Sequence, residues 1–259
     1  MKKLMVVIPA LNEEETLGLV IRKIPGERLG QLQVEVLVID DGSTDSTSAV
    51  ALEAGAHHLI CHPRNMGLGY SIREGLSYAY DQGADIAVMI DADDEYPADE
   101  IPEVIEPILR GEADYVMGSR FKGRIKGMKL HRRLGNYFFT LIQALLLGRF
   151  LYDGQSGFRA FSRPVLRDFE IIHDYNYAQV LTLNIVRKGY RMVEVPINYK
   201  VRSAGESFIT FKGYLTNVLP AIWKEMSRKV TPAAGSGRPE NSYQKVVDTG
   251  KCVQYNQGN

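Results

Sequence analysis

The sequence predicts an α/β fold: a mostly parallel central sheet flanked by helices, with an extension on its C-terminal side. Two observations in the first half of the chain predict it. Short, nearly continuous apolar runs alternate with segments of helical periodicity, the pattern of a parallel sheet covered on both faces. Several of these runs end abruptly in acidic or small polar residues, and in such sheets ligands bind beyond the carboxyl ends of the strands.

Residues 4–8 read as a first buried strand. Asn12 is placed to cap a helix, with Glu15 three positions on in capping-box position and Leu17, Val20, Ile21 and Ile24 at helical spacing. A second strand over 34–39 ends in Asp40-Asp41-Gly42-Ser43, and a helix over 45–54 and a short strand over 58–61 follow. Gly67 and Gly69 break the chain before a helix over 70–80. The strand over 86–90 runs straight into Asp91-Ala92-Asp93-Asp94-Glu95. A helix over 99–110 and a strand over 115–118 complete the alternation.

The second half differs. Residues 120–133 form a basic, glycine-punctuated loop, and 134–151 are strongly apolar. A strand over 157–161 and a helix over 179–187 follow, then a pair of strands over 192–195 and 197–201 joined at Pro196, and a helix over 211–226. From Thr231 onward Pro, Gly, Ser, Asn and Gln dominate, the composition of a flexible tail. The expected organisation is one domain over 1–230, with halves at 1–118 and 119–230, and a tail over 231–259.

Bulk properties narrow the function classes. Lys+Arg and Asp+Glu both number 31 among 259 residues, a balance that speaks against a general nucleic-acid binder. Two cysteines far apart in sequence, Cys61 and Cys252, offer neither a disulfide framework nor thiolate metal spacing, so a cytoplasmic location is expected. Pro9 and the run Asn12-Glu13-Glu14-Glu15 interrupt the N-terminal apolar segment, which reads as a strand rather than a signal peptide. No stretch reaches the roughly 18 apolar residues of a membrane span. His57, His58 and His62 flank a strand and are given no metal.

Asp91, Asp93 and Glu95 occupy alternating positions just past a buried strand. Carboxylates crowded this way resist ionising unless a cation compensates them. A hard ion, Mg2+ or Mn2+, bridging them to a substrate diphosphate meets that need and stabilises a leaving nucleotide. The plainer alternative is a solvated acidic turn; position at a strand end favours the metal site. Asp41 can accept from a base N–H and Glu13 can hold a ribose hydroxyl, alongside helix capping by Asn12 and turn formation at Asp41-Gly42.

These segments resemble the inverting nucleotide-sugar transferases of family two, which have the GT-A fold. The matching stretches are Val7-Ile8-Pro9-Ala10-Leu11-Asn12-Glu13, Ile39-Asp40-Asp41-Gly42-Ser43-Thr44-Asp45, Asn65-Met66-Gly67-Leu68-Gly69 and Asp91-Ala92-Asp93. Gly118-Ser119-Arg120, the run from Asp153 to Arg159, and Glu194-Val195-Pro196 followed by Arg202 and Gly205-Glu206-Ser207 are similar to dolichyl-phosphate mannose synthases and related polyprenyl-phosphate hexosyltransferases. The resemblance implies nucleotide contacts at Pro9, Leu11, Glu13, Ile39 and Asp41, and donor and metal contacts at Asp91, Ala92 and Asp93. It implies phosphate contacts at Arg120, Arg132 and Arg202, of which Arg120 and Arg202 join Asp91 and Asp93 as catalytic. Glu95 stands where those synthases have a metal-holding glutamine, which makes the site more acidic here. Phe208 stands where they have a lysine, with Lys212 a substitute only if the loop folds differently.

A sugar hydroxyl attacking a donor needs a base, and Asp174 is the only acid in 173–184. A phosphate acceptor is already ionised and needs cations instead, a demand met by Arg120, Arg124, Arg132, Arg133 and Arg202. The expectation is therefore transfer of a hexose from a GDP- or UDP-linked donor to a lipid phosphate. The apolar segment over 134–151, next to the basic loop, suits either a core helix or an interfacial one on a membrane. The competing readings are transfer to a sugar or small-molecule hydroxyl, and a non-catalytic partner protein that binds sugar nucleotides.

Overall fold

The structure is a computed structural model. It describes residues 1–174, 177–201, 211–233 and 252–255, with the backbone alone at 211–217 and 252–255. Its centre is β1 (Lys2–Ala10), whose side chains alternate between two cores. Leu4, Val6 and Ile8 pack on one face of the sheet, Met5 and Val7 on the other. Burial on both faces is why this segment reads as a continuous apolar run.

Three strands join β1 in parallel registers: β2 (Leu32–Asp40) on one side with β3 (His58–Cys61) beyond it, and β4 (Ile86–Met89) on the other. The strand order therefore reverses between β1 and β4, which opens a crevice at their carboxyl ends. One face is covered by α1 (Leu17–Arg22), α2 (Thr47–Glu53) and α4 (Ile101–Leu109). The opposite face carries α3 (Leu68–Asp81) and the later helices α6 (Arg163–Asp168) and α7 (Ala178–Arg187).

Beyond β4 the sheet continues through β7 (Arg159–Ser162), β5 (Tyr115–Ser119) and β8 (Met192–Pro196), in the order β4-β7-β5-β8. β7 runs antiparallel to both neighbours, so the segment that follows Asp153 is carried into the middle of the sheet beside β4.

Several expectations change. The helix read from Asn12 starts at Leu17 instead. Asn12 takes a left-handed backbone (φ 54) and its side chain accepts from Thr44 N (2.9 Å), so a tertiary partner replaces the capping box. The strand pair expected around Pro196 is not a pair. β8 lies beside β5, while β9 (Tyr199–Lys200) crosses to pair with β6 (Ile125–Lys126) in a separate small sheet. Within the stretch expected as a flexible tail over 231–259, β10 (Cys252–Tyr255) pairs antiparallel with β3 and caps that edge of the sheet.

The apolar segment becomes α5 (Leu130–Leu147), which starts inside the basic stretch. Its buried residues are Phe139, Thr140 and Gln143, whereas Leu134, Phe138, Leu141 and Leu145 are exposed. Phe139 joins Leu183, Val218 and Ile222 in a small third core with α7 and α8 (Phe211–Ser227). No described helix is long and apolar enough to cross a membrane.

Candidate active site

A cavity of about 750 Å3 opens at the crevice between β1 and β4. Pro9, Leu11, Glu13 and Asp41 line one part of it, and Asp91, Ala92, Asp93 and Glu95 its acidic side. Lys129, His131 and Arg132 line it too, so charges of both signs face one volume.

The loops after β1 and β2 are interlocked by short polar side chains. Asn12 N donates to Ser43 Oγ (2.9 Å) and Glu13 N to Thr47 Oγ1 (2.8 Å). Asp40 accepts from Ser43 N (2.8 Å) and from the Ser48 hydroxyl. Asp41 turns the next loop: Oδ1 accepts from Met66 N (2.8 Å) and Oδ2 from Gly67 N (2.9 Å). His62 joins Asp41 (2.6 Å) to Glu74 (2.7 Å). Burial works against the charged imidazole, but its hydrogen bonds to both carboxylates outweigh it and raise the His62 pKa to about 9.

The acidic side follows β4 directly. Burial first, and then the charge of Glu95, pushes the Asp91 pKa up. Burial and the charges of Asp91 and Glu95 push Asp93 up in turn. Asp91 packs over Gly157: a Cβ there would lie 2.2 Å from Asp91 Oδ2, so this position admits no side chain. Gly157 N donates to Tyr96 Oη (3.0 Å), which fixes the approach. Glu95 also faces the cavity, but its carboxylate accepts from the Tyr199 hydroxyl and its backbone O from Lys200 N (3.0 Å). Among the described residues no three acidic, histidine or cysteine side chains converge as a ready metal cage.

Two predicted residues sit behind the wall. Ile39 is fully buried and packs in the core against Gly75 of α3, so its side chain does not face the cavity. Arg120, expected to hold phosphate, is 6% exposed and committed to Asp153 through Nε (2.7 Å) and Nη2 (2.8 Å). The backbone N–H groups of Tyr152 and Asp153 are held in turn by Glu194. Arg120 thus braces the turn that leads to Gly157, and lies 5.3 Å from the Tyr199 ring centroid. Arg202, Gly205-Glu206-Ser207 and Phe208 lie outside the described residues, as does the side chain of Lys212.

Asp174 lines the cavity, with its carboxylate engaged by Arg73 Nη1 (2.8 Å). It reaches the site because Gly69 N donates to Asp174 O (2.8 Å), and a Cβ on Gly69 would strike His173 O at 2.4 Å. The three histidines near β3 separate: His57 Nδ1 accepts from Val36 N, His58 pairs with Glu35, and His62 with Asp41 and Glu74.

Residues 5–169, a span that takes in both loop clusters and the acidic side, match glycosyl transferase family 2. The chain belongs to that family. It is a glycosyltransferase with the GT-A architecture expected from its motifs. A UDP-N-acetylglucosamine–dolichyl-phosphate N-acetylglucosaminyltransferase of Methanococcus voltae is 34% identical over 184 residues, 64% of this chain and 72% of that one. An undecaprenyl-phosphate mannosyltransferase of Micrococcus luteus is 31% identical, covering 79% of this chain and 86% of its own. In fold, the chain is similar to glucosyl-3-phosphoglycerate synthase from Mycobacterium tuberculosis in complex with Mn2+ and UDP-glucose. That match has a TM-score of 0.66 at 24% identity, covering 92% of this chain and 82% of the other.

Sequence reasoning set His62 aside as a metal ligand and gave no site role to it or to Tyr96, Lys129, His131 and Tyr199. Lys129 and His131 carried a signal, since both belong to the basic run that contains Arg132. His62 and Tyr199 carried none, because each acquires its role from a partner far away in the chain.

Proposed function

We propose that the chain transfers a hexose, with inversion, from a nucleotide-sugar to a polyprenyl phosphate, aided by Mg2+ or Mn2+. The observation that carries this reading is the cavity itself, with carboxylates at the end of β4 and Lys129, His131 and Arg132 facing the same volume.

A divalent ion fits Asp91 and Asp93. They are hard oxygen donors, half-buried and mutually repelling, and an ion held by one or two carboxylates and a substrate diphosphate suits Mg2+ or Mn2+. Glu95 would join them on exchanging its Tyr199 contact. When bound, the ion supplies positive charge to the departing nucleoside diphosphate. Asp41 holds the base, Glu13 a ribose hydroxyl, and Pro9, Leu11 and Ala92 bound the donor on the cavity wall. Lys129, His131 and Arg132, with Arg202, bind the acceptor phosphate and offset its repulsion from the donor. A phosphate oxygen attacks the anomeric carbon without a general base, in keeping with an Asp174 already engaged by Arg73. Transfer to a hydroxyl would instead recruit Asp174, which does line the cavity.

The acceptor's lipid places the enzyme at a membrane surface, at its cytoplasmic face. The outward Leu134, Phe138, Leu141 and Leu145 of α5, beside the basic start of that helix, suit an interfacial helix. A radiolabelled nucleotide-sugar assay offering polyprenyl phosphate or soluble sugars tests the proposal. Label should enter the organic phase only with the lipid phosphate, and only until a chelator is added. Label retained in water-soluble glycoside would defeat the acceptor assignment.

A further inference from the structure

We infer that the Asp41–His62–Glu74 chain selects the base of the donor, favouring the imide edge of uracil over guanine. The inference rests on the proposed use of this cavity for a nucleotide-sugar, and it names which nucleotide.

A carboxylate offers about four lone-pair sites on its two oxygens. Three of those on Asp41 are taken from within the protein. Oδ1 accepts from His62 Nδ1 (2.6 Å) and from Met66 N (2.8 Å), and Oδ2 accepts from Gly67 N (2.9 Å). His62 itself is nearly fully buried and sits between two carboxylates, with Nε2 on Glu74 Oε2 (2.7 Å). An imidazole with an acceptor at each nitrogen serves as a donor at both. Its contact with Asp41 therefore fills a lone pair. What remains on this cavity-lining carboxylate is one acceptor site, on Oδ2.

Next to it stands a donor. Asn65 Oδ1 accepts from Gly67 N (2.9 Å), which leaves the Asn65 amide nitrogen without a partner among the described residues, on the cavity wall. The wall thus presents one acceptor and one donor side by side. Uracil carries a single N–H flanked by two carbonyl oxygens, so its N3–H meets Oδ2 while a carbonyl meets Asn65. Guanine carries two adjacent donors, N1–H and the 2-amino group, and needs both oxygens of a carboxylate to satisfy them. Here only one is open, and the 2-amino group finds no second acceptor on Asp41. Cytosine and adenine have no N–H at the central position and would set a lone pair against Oδ2. A site that leaves a polar group unpaired discriminates strongly against the ligand that brings it. Thymine has the same imide edge as uracil, so the deoxyribose and methyl group are separate variables.

The test is calorimetric titration of the full-length chain, with Mn2+ present, by UDP, dTDP, GDP and IDP; IDP is GDP without the 2-amino group. The expected order has UDP roughly tenfold or more tighter than GDP, and IDP severalfold tighter than GDP. A dTDP affinity matching that of UDP assigns recognition to the imide alone, and a weaker one adds the sugar or methyl group to it. His62→Asn keeps an amide donor near the Nδ1 position and should preserve the UDP-to-GDP ratio. His62→Ala frees a lone pair on Oδ1 and should narrow that ratio at least threefold, with circular dichroism confirming the fold. A purely structural His62 would lower every nucleotide's affinity in step and leave the ratio unchanged, which overturns the inference. GDP binding as tightly as UDP to the natural chain overturns it too, while leaving the transferase reading intact. Failure to bind any nucleoside diphosphate overturns both.

Discussion

The two halves of the cavity are built by opposite means. On the proposed donor side, the loops after β1 and β2 are tied by backbone N–H groups to short side chains, Asn12 to Ser43 and Thr44, Asp41 to Met66 and Gly67. On the proposed acceptor side, long cationic side chains from the start of α5 face the cavity, and the same helix turns its leucines outward. Recognition by fixed amides suits a rigid base and ribose. Charge and apolar surface suit a phosphate on a long flexible lipid. Donor affinity should therefore be sensitive to small geometric changes, and acceptor affinity to charge and hydrophobicity.

Substitutions can break this division, beginning with the largest effect. Asp93→Ala should lower transfer by on the order of 10^3-fold, since metal-assisted stabilisation is worth several kcal/mol. It should also abolish any Mn2+-dependent gain in melting temperature on adding the preferred nucleotide; an equal gain in both proteins would remove the metal from donor binding. Asp153→Ala strands Arg120 in the wall between the halves and should cost about 3–5 kcal/mol in urea unfolding. A loss under 1 kcal/mol would mean that Arg120 is free to turn toward the cavity.

Arg132→Ala should raise the KM for lipid phosphate about tenfold while leaving nucleotide affinity unchanged, the scale of one charge-assisted hydrogen bond. Matched losses on both substrates would dissolve the donor and acceptor distinction. A Leu141→Asp, Leu145→Asp pair should weaken sedimentation with anionic vesicles about fivefold, yet spare nucleotide binding. Unchanged sedimentation would place the membrane contact elsewhere.

The smallest effect concerns pH. His62 is raised from 6.5 to about 9 in the folded chain, so its charged form is the stabilised one. Its contribution is fully present below pH 6.5 and is lost as pH rises through about 9. The stability difference between the natural chain and His62→Ala should shrink across that window in urea titrations. A difference that grows with pH would mean the imidazole is neutral when folded.

Much of the proposed donor side was legible because a parallel strand buried on both faces leaves an unbroken apolar run, and its polar end marks the crevice. Pro9, Glu13, Asp41, Asp91 and Asp93 were singled out that way, and all five line one cavity. Asn12 misled because a local cap and a contact 32 residues distant use the same side-chain oxygen. Arg120 misled because a guanidinium reads as a phosphate ligand until its carboxylate, 33 residues on, is known. The strands around Pro196 read as a pair because membership of separate sheets leaves no mark on either segment. β10 was hidden in a polar tail, where composition outweighed a four-residue strand.

By itself, the sequence determined the layered α/β plan and the acidic end of β4, since periodicity and strand ends are local properties. Only the tertiary structure decided which charges share the cavity, which are spent on one another, and which face α5 buries. Those outcomes depend on pairings across tens of residues, where one side chain has several possible partners and packing chooses among them.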